Sequence, residues 1–397
     1  MLKKFDDFMS SKIFIYFAFI VFFKPLLFYY YPMINYAFNI AMILVGIFIL
    51  IYYLLNLIKN YKISSLQLAI FGYATVLSIS TIIGTHDYGM LFRTLAKWLS
   101  ISIYTELLLI NHREKFLSCL NNLIISLIFL QGISVLLFPN GILNVHNVEI
   151  YFLGNENTAT MTIILGTLYT ILYCYHKYNK ISRLSFVILF VTTFICFVTW
   201  SATAIVGLMM LYFYLFFLYK KNKNLFKIFN YRNYFIFSIC LFVLLVLFKF
   251  QNIFAFFIED ILHKDLTLSG RVSIWNSCIE FIKSNFFLGI GVQEYSMRLN
   301  NIGIFHAHCT FLNVLLEGGI LAFVCFLNIF RIIGGSIKKH MNHQVVSIIS
   351  FGIFIYMITS IVEVYQDSQM VYIFMVLGFY SNILCKECKN EKNISSN

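Results

Sequence analysis

The 397-residue chain is 60% hydrophobic and only 12% charged, with a mean hydropathy of +0.82. Soluble domains carry about 25% charged residues, so a soluble fold cannot hide this much Phe, Ile and Leu, and a bilayer must solvate most of the chain. The net charge of +12 does not mark a nucleic-acid binder, because the basic residues sit in short runs between apolar segments.

A membrane span needs about 20 mostly apolar residues. Twelve stretches qualify: 12–31, 35–58, 65–84, 90–110, 116–138, 158–175, 183–200, 202–219, 233–250, 309–330, 344–363 and 369–385. The first follows the basic start Met1–Lys4 and ends in no small-residue cleavage site, so it reads as a retained span. The Trp200-Ser201-Ala202-Thr203 centre of 183–219, with basic residues at both flanks, splits that region into a tight hairpin.

Charge tests the count. With Lys3, Lys4 and Lys12 in the cytoplasm, the even turns carry Lys59 and Lys62; Arg113 and Lys115; Lys177, Lys180 and Arg183; Lys220, Lys221, Lys223, Lys227 and Arg232; and Arg331, Lys338 and Lys339. The tail adds Lys386, Lys389 and Lys392. The odd turns (THDYG, 139–157, WSAT, 251–308 and EVYQDSQ) are acidic or mixed. The expectation is an all-α, multi-pass protein of the cytoplasmic membrane with about twelve spans and both termini cytoplasmic. It divides into nine spans over 1–250, a large extracytoplasmic loop at 251–308, and three spans plus a tail over 309–397. Nine scattered cysteines behave as small hydrophobes. Cys385 and Cys388 form one CxxC at a span end, read as structural thiols, and no zinc-like pair of cysteine pairs exists.

The large loop is too apolar to float free. In 271–283, Ile274, Trp275, Cys278 and Ile282 share one helical face, with Ser269 as N-cap, Gly270 easing entry, and Gly289 and Gly291 turning the chain afterwards. The loop therefore reads as interfacial helices on the outer ends of the spans.

The candidate chemical groups cluster on this side. Arg271 opens the helix on the face of Trp275 and Cys278, and suits a phosphate or pyrophosphate, or else anchors to headgroups. His306 and His308 precede a span; their spacing makes no helical metal site and no third ligand is evident, but either suits a general base for a hydroxyl. Glu317 lies about 13 Å deeper along the helix, as a substrate contact or half of a structural ion pair. Arg93 and Lys97 share a face near the outer half of the fourth span and suit an anionic headgroup if they face the interior, or snorkel if they do not. Asn155, within Gly154-Asn155-Glu156-Asn157, caps the sixth span or binds a sugar. The chain holds no DxD, P-loop, GxSxG or HExxH.

Together, SGRVSIW, FFLGIGVQEY and HAHCTFLNVLLEGGILAF resemble the core of the O-antigen ligase and O-antigen/capsule polymerase superfamily: an Arg-x-x-x-Trp helix in a large external loop, a G-x-G turn, a His, and a Glu-x-Gly at the start of a span. GNEN and WSATAIVGL are similar to two further family turns, and the clear likeness covers about 266–325. The resemblance implies a GT-C-like membrane glycosyltransferase that joins undecaprenyl-pyrophosphate-linked repeat units of a surface polysaccharide. The ligase that moves a finished glycan to an acceptor is the alternative, and a flippase or other transporter a second. It implies Arg271 on the pyrophosphate, His308 on the acceptor hydroxyl with His306 in support, inversion at the anomeric carbon, no metal or other cofactor, and association with a flippase and chain-length regulator but not nucleic acid. Two departures stand out. Cys309 replaces a frequent Asn, and Ala202 stands where many members carry a second Arg, a role that Arg93 or Lys97 would have to fill.

Overall fold

A computed structural model describes residues 2–59, 61–219, 228–261, 265–268 and 270–385. The lysines at 220–227 and 386–392, Ser269 and Cys388 lie outside those residues. The chain is almost entirely helical, as its composition requires. A short α1 (Leu2–Met9) and α2 (Lys12–Phe22) lead into α3 (Pro32–Ile58), α4 (Ser65–Ile83), α5 (Tyr88–Asn111) and α6 (Arg113–Leu137). Then come α7 (Glu156–Tyr178), the hairpin α8 (Arg183–Thr199) and α9 (Ala202–Phe213), and α10 (Tyr231–Phe242). The large loop contributes α11 (Arg271–Ser284) and α12 (Tyr295–Ile302), followed by α13 (Thr310–His340), α14 (Gln344–Thr359), α15 (Gln369–Phe379) and the short α16 (Ser381–Leu384). Of these, α3, α4, α6, α7 and α13 are long and apolar enough to cross a membrane; α2, α8, α9, α10, α14 and α15 are shorter apolar helices. With α5, whose charges dilute its hydropathy, a helix occupies each of the twelve expected stretches.

Helix starts are set by local chemistry. Ser11, Ser64, Asp87, Asn155, Ser182, Ser201 and Asn230 each stand at an N-cap and accept a hydrogen bond from the backbone N–H three residues on. In an apolar solvent such orphan donors would otherwise stay unpaired.

The structure departs from the hydropathy reading at several points, α13 among them, which runs on to His340 where the span was expected to end at 330. The first span is not one helix over 12–31: α2 stops at Phe22, and Pro25, which lacks an N–H and disfavours helix at Lys24, diverts the chain into a 3₁₀ turn at Leu26–Tyr30. Residues 9–22 are still tied to the rest of the bundle at both ends. The Tyr104 hydroxyl donates to the Met9 carbonyl at one end, and the Gln369 amide donates to the Phe22 carbonyl at the other. The eleventh span ends at Thr359, which leaves residues 360–368 as a longer turn than expected. In the 139–157 loop a hairpin forms, Leu143–Val145 against Val148–Ile150, turned by His146 and Asn147 with positive φ.

The large loop does fold as helices. Trp275, Cys278 and Ile282 are the buried face of α11, as the periodicity requires. Its N-cap is Gly270, with φ of 80° and no side-chain cap bond, in place of the expected Ser269. The G-x-G turn then docks into a break in α13. Gly319 is non-helical (φ 62°, ψ −164°), and its α-carbon faces the Phe287 carbonyl so closely that a Cβ would sit 2.3 Å from that oxygen. The carbonyls freed by the break are taken by the turn: Ile290 N–H donates to Leu316 O at 2.8 Å and Gly291 N–H to Glu317 O at 2.9 Å. The Ser80 hydroxyl of α4 also donates to the Glu317 carbonyl, at 2.5 Å. Gly318-Gly319 therefore opens α13 to a backbone turn, a closer fit than helix-on-helix packing.

Candidate active site

Two polar clusters meet at one end of the bundle, and the turn at 360–368 builds both. Thr310, the first residue of α13, pins that turn: its N–H and hydroxyl donate to the Glu363 carbonyl at 3.1 and 2.9 Å, and its hydroxyl accepts from Tyr365 N–H at 2.9 Å. Glu363 is thereby held beside the segment that carries both histidines.

In the outer cluster, Arg271 Nη2 donates to Glu363 Oε2 at 2.9 Å across 92 residues of sequence. The other carboxylate oxygen lies 3.5 Å from His308 Nδ1, an ion-pair distance slightly long for a hydrogen bond. Glu363 is buried, which alone would raise its pKa; the His308 and Arg271 interactions outweigh burial and hold the carboxyl below its usual range. His308 has a positive φ of 44°, a left-handed conformation that a non-glycine residue adopts at a cost. The His306 ring packs against it at a tilt of 46°, centroids 3.8 Å apart, and His306 Nδ1 accepts from the His308 backbone N–H at 3.3 Å. Burial, with His308 adding to it, pulls the His306 imidazole down to about 4. His306 is therefore neutral at pH 7.

The inner cluster centres on an arginine that sequence reasoning left without a role. Arg298 of α12 is almost fully buried and pairs with Glu317 Oε1 at 2.5 Å. Its second amino group donates to Asn313 Oδ1 at 2.7 Å. Gln366 completes the network: its amide donates to Glu317 Oε2 at 3.1 Å and to the Tyr73 hydroxyl at 2.9 Å, and its oxygen accepts from Asn313 at 2.8 Å. Glu317 is thus half of an ion pair. Tyr295 links the clusters, with the Arg298 guanidinium 6.0 Å from its ring centre and the His306 ring 5.9 Å away. A narrow cavity runs past Thr94, Trp98, Gln293, Tyr295, Arg298 and Gln366.

Other sequence candidates fall outside these clusters. Arg93 is exposed and donates to the Gly89 carbonyl of its own helix at 3.3 Å, so it does not face the interior. Lys97 is half-buried, within reach of the charge of Asp367, which accepts from Trp98 Nε1 at 3.0 Å. Asn155 caps α7 through Thr158 N–H at 2.9 Å. The GNEN and WSAT turns do touch: the Ser201 hydroxyl donates to Asn157 Oδ1 at 2.7 Å, and Tyr365 donates to the Asn157 carbonyl at 3.0 Å.

Glu363 and Gln366 are the residues the sequence reading missed, and Arg298 is one to which it gave no specific role. Glu363 also supplies the third group that the histidines lacked, since His306, His308 and Glu363 can bring ligand atoms within 4.8 Å of one another. The Arg271 guanidinium already occupies one carboxylate oxygen of that trio.

The fold and clusters define a polytopic helical membrane protein with an arginine, two histidines and a carboxylate gathered at one end of its bundle. Residues 184–327 match the family described as O-antigen ligase, in line with the resemblance read from the sequence. The matched segment includes Arg271, Arg298, His306, His308 and Glu317, and stops before Glu363. A search of curated proteins returns no match. The match supports an O-antigen ligase- or polymerase-type function in polysaccharide biosynthesis.

Proposed function

We propose that the protein transfers a glycan from a lipid-linked pyrophosphate to an acceptor hydroxyl at the outer face of the cytoplasmic membrane, joining repeat units of a surface polysaccharide. One observation carries this reading: Glu363 holds Arg271 with one carboxylate oxygen and faces His308 with the other, so a cation for the leaving group and a base for the nucleophile share one anchor. His308 Nε2 takes the acceptor proton as the hydroxyl oxygen attacks the anomeric carbon. Glu363 stabilises the imidazolium that forms. The bond from that carbon to the pyrophosphate breaks, and its electron pair leaves on the lipid pyrophosphate. Arg271 spends one N–H on Glu363, and its remaining donors suit the growing negative charge. A single displacement of this kind inverts the anomeric centre. The basic turns support cytoplasmic termini, which puts the 251–308 loop outside.

Transfer of a finished glycan to a different acceptor is the second reading, favoured by the match to the O-antigen ligase family. The test is the cell-surface glycan of an Arg271→Ala strain, with expression checked. A polymerase leaves single repeat units on their anchor. A ligase leaves long lipid-linked chains that reach no acceptor. Normal glycan overturns the proposal.

A further inference from the structure

The opposite end of the bundle carries a second cluster. His340 is the last residue of α13, and His343 is the N-cap of α14, three residues later round a turn closed by His343 N–H to the His340 carbonyl at 3.0 Å. Cys385, just after α16 and almost fully buried, comes to the same place. One imidazole nitrogen from each histidine and the Cys385 sulfur lie within 4.8 Å of one another. Tetrahedral zinc, with bonds of about 2.0–2.3 Å, needs ligand atoms about 3.4–3.8 Å apart. Binding therefore requires the three side chains to rotate toward one another.

The position of Cys385 is fixed from outside the cluster. Arg113 donates to the Ile383 carbonyl, and the buried His176 ring meets the Leu384 carbonyl at 3.3 Å, so the two residues before the cysteine are held by α6 and α7. A preset backbone reduces the ordering cost of binding.

We propose that His340, His343 and Cys385 bind a structural zinc ion that clamps the C-terminal segment to the α13–α14 turn. Imidazole and thiolate select zinc over magnesium or calcium, which take oxygen ligands. On the side that the basic turns assign to the cytoplasm, a reducing environment keeps the thiol available for metal. Binding releases the thiol proton and replaces the Cys385 contact with the Ser381 carbonyl, 3.3 Å in the described state. The clamp is independent of the chemistry at the other end.

The experiment uses the full chain, purified in detergent without a polyhistidine tag and dialysed against metal-free buffer. Elemental analysis is expected to show about one zinc per chain, and cobalt substitution to give a thiolate-to-cobalt charge-transfer band. Cys385→Ser abolishes that band, His343→Ala weakens zinc retention at least about tenfold, and Cys240→Ser, at an exposed cysteine, changes neither. Wild-type protein that retains no zinc above buffer and gives no cobalt band overturns the proposal, as does a charge-transfer band that survives Cys385→Ser.

Discussion

The buried pair of Arg298 and Glu317 predicts a strongly non-additive response. Both side chains are enclosed, and each has further partners, Asn313 for the arginine and Gln366 for the glutamate. Replacing one member strands the other charge in a medium of low polarity, which costs about 3–5 kcal/mol. Arg298→Met and Glu317→Leu are each expected to fall in that range. The double variant removes both charges together. Gln366 keeps the Tyr73 hydroxyl, so the main remaining penalty is the Asn313 oxygen that Arg298 had satisfied, about 1–3 kcal/mol. The coupling energy in a double-mutant cycle should therefore exceed about 2 kcal/mol. Unfolding in mixed detergent and dodecyl sulfate, followed by the fluorescence of buried Trp98 and Trp275, measures it. Single variants that each cost under about 1 kcal/mol and simply add would refute the view that this pair organises the end of the bundle.

Other predictions concern single positions. Arg271→Lys should recover only a minor part of the transfer lost in Arg271→Ala, because an ammonium cannot both hold Glu363 and present a planar fork to a phosphate; kinetics on the two variants check this. Gly319→Ala should destabilise the protein by about 2–5 kcal/mol, from a left-handed backbone and a Cβ 2.3 Å from the Phe287 oxygen; loss of thermal stability in detergent reads it out. The lowered His306 pKa makes a signed prediction. The unfolded chain binds a proton near 6.5 and the folded one near 4, so stability is full above about pH 6.5 and lost as pH falls toward 4. At about 1.4 kcal/mol per pH unit, the whole interval is worth up to about 3 kcal/mol. His306→Asn should flatten the wild-type drop in melting temperature between pH 7 and pH 5.

Much of this architecture is legible in the chain. Apolar stretches and cap residues set the helices, and the Trp275, Cys278 and Ile282 spacing gave the buried face of α11. Hydropathy failed at Lys24-Pro25, where one proline ends a helix that composition alone would continue. The site was half legible. Arg271, His306 and His308 stand out because polar groups beside membrane spans are costly. Glu363 did not, because a carboxylate in a short outer turn looks solvated until Thr310 draws that turn inward. Arg298 was visible as a charged residue of the loop and Glu317, placed within a span, needed a cationic partner, but sequence separation alone did not pair the two. The Gly289, Gly291 and Gly319 pattern showed that special backbone was required, but not that a turn and a helix break were two halves of one joint.

The central claim is that Glu363 joins the leaving-group cation to the base. It is tested most directly with purified protein and a lipid-pyrophosphate-linked oligosaccharide, by comparing turnover in wild type, His308→Ala and Glu363→Gln across pH. The expected result is a loss of about 100-fold or more in His308→Ala. Glu363→Gln should show a comparable loss and an altered pH profile, with thermal stability in both variants close enough to wild type to show a folded protein. Transfer at the wild-type rate and with the wild-type pH profile in Glu363→Gln would contradict the account.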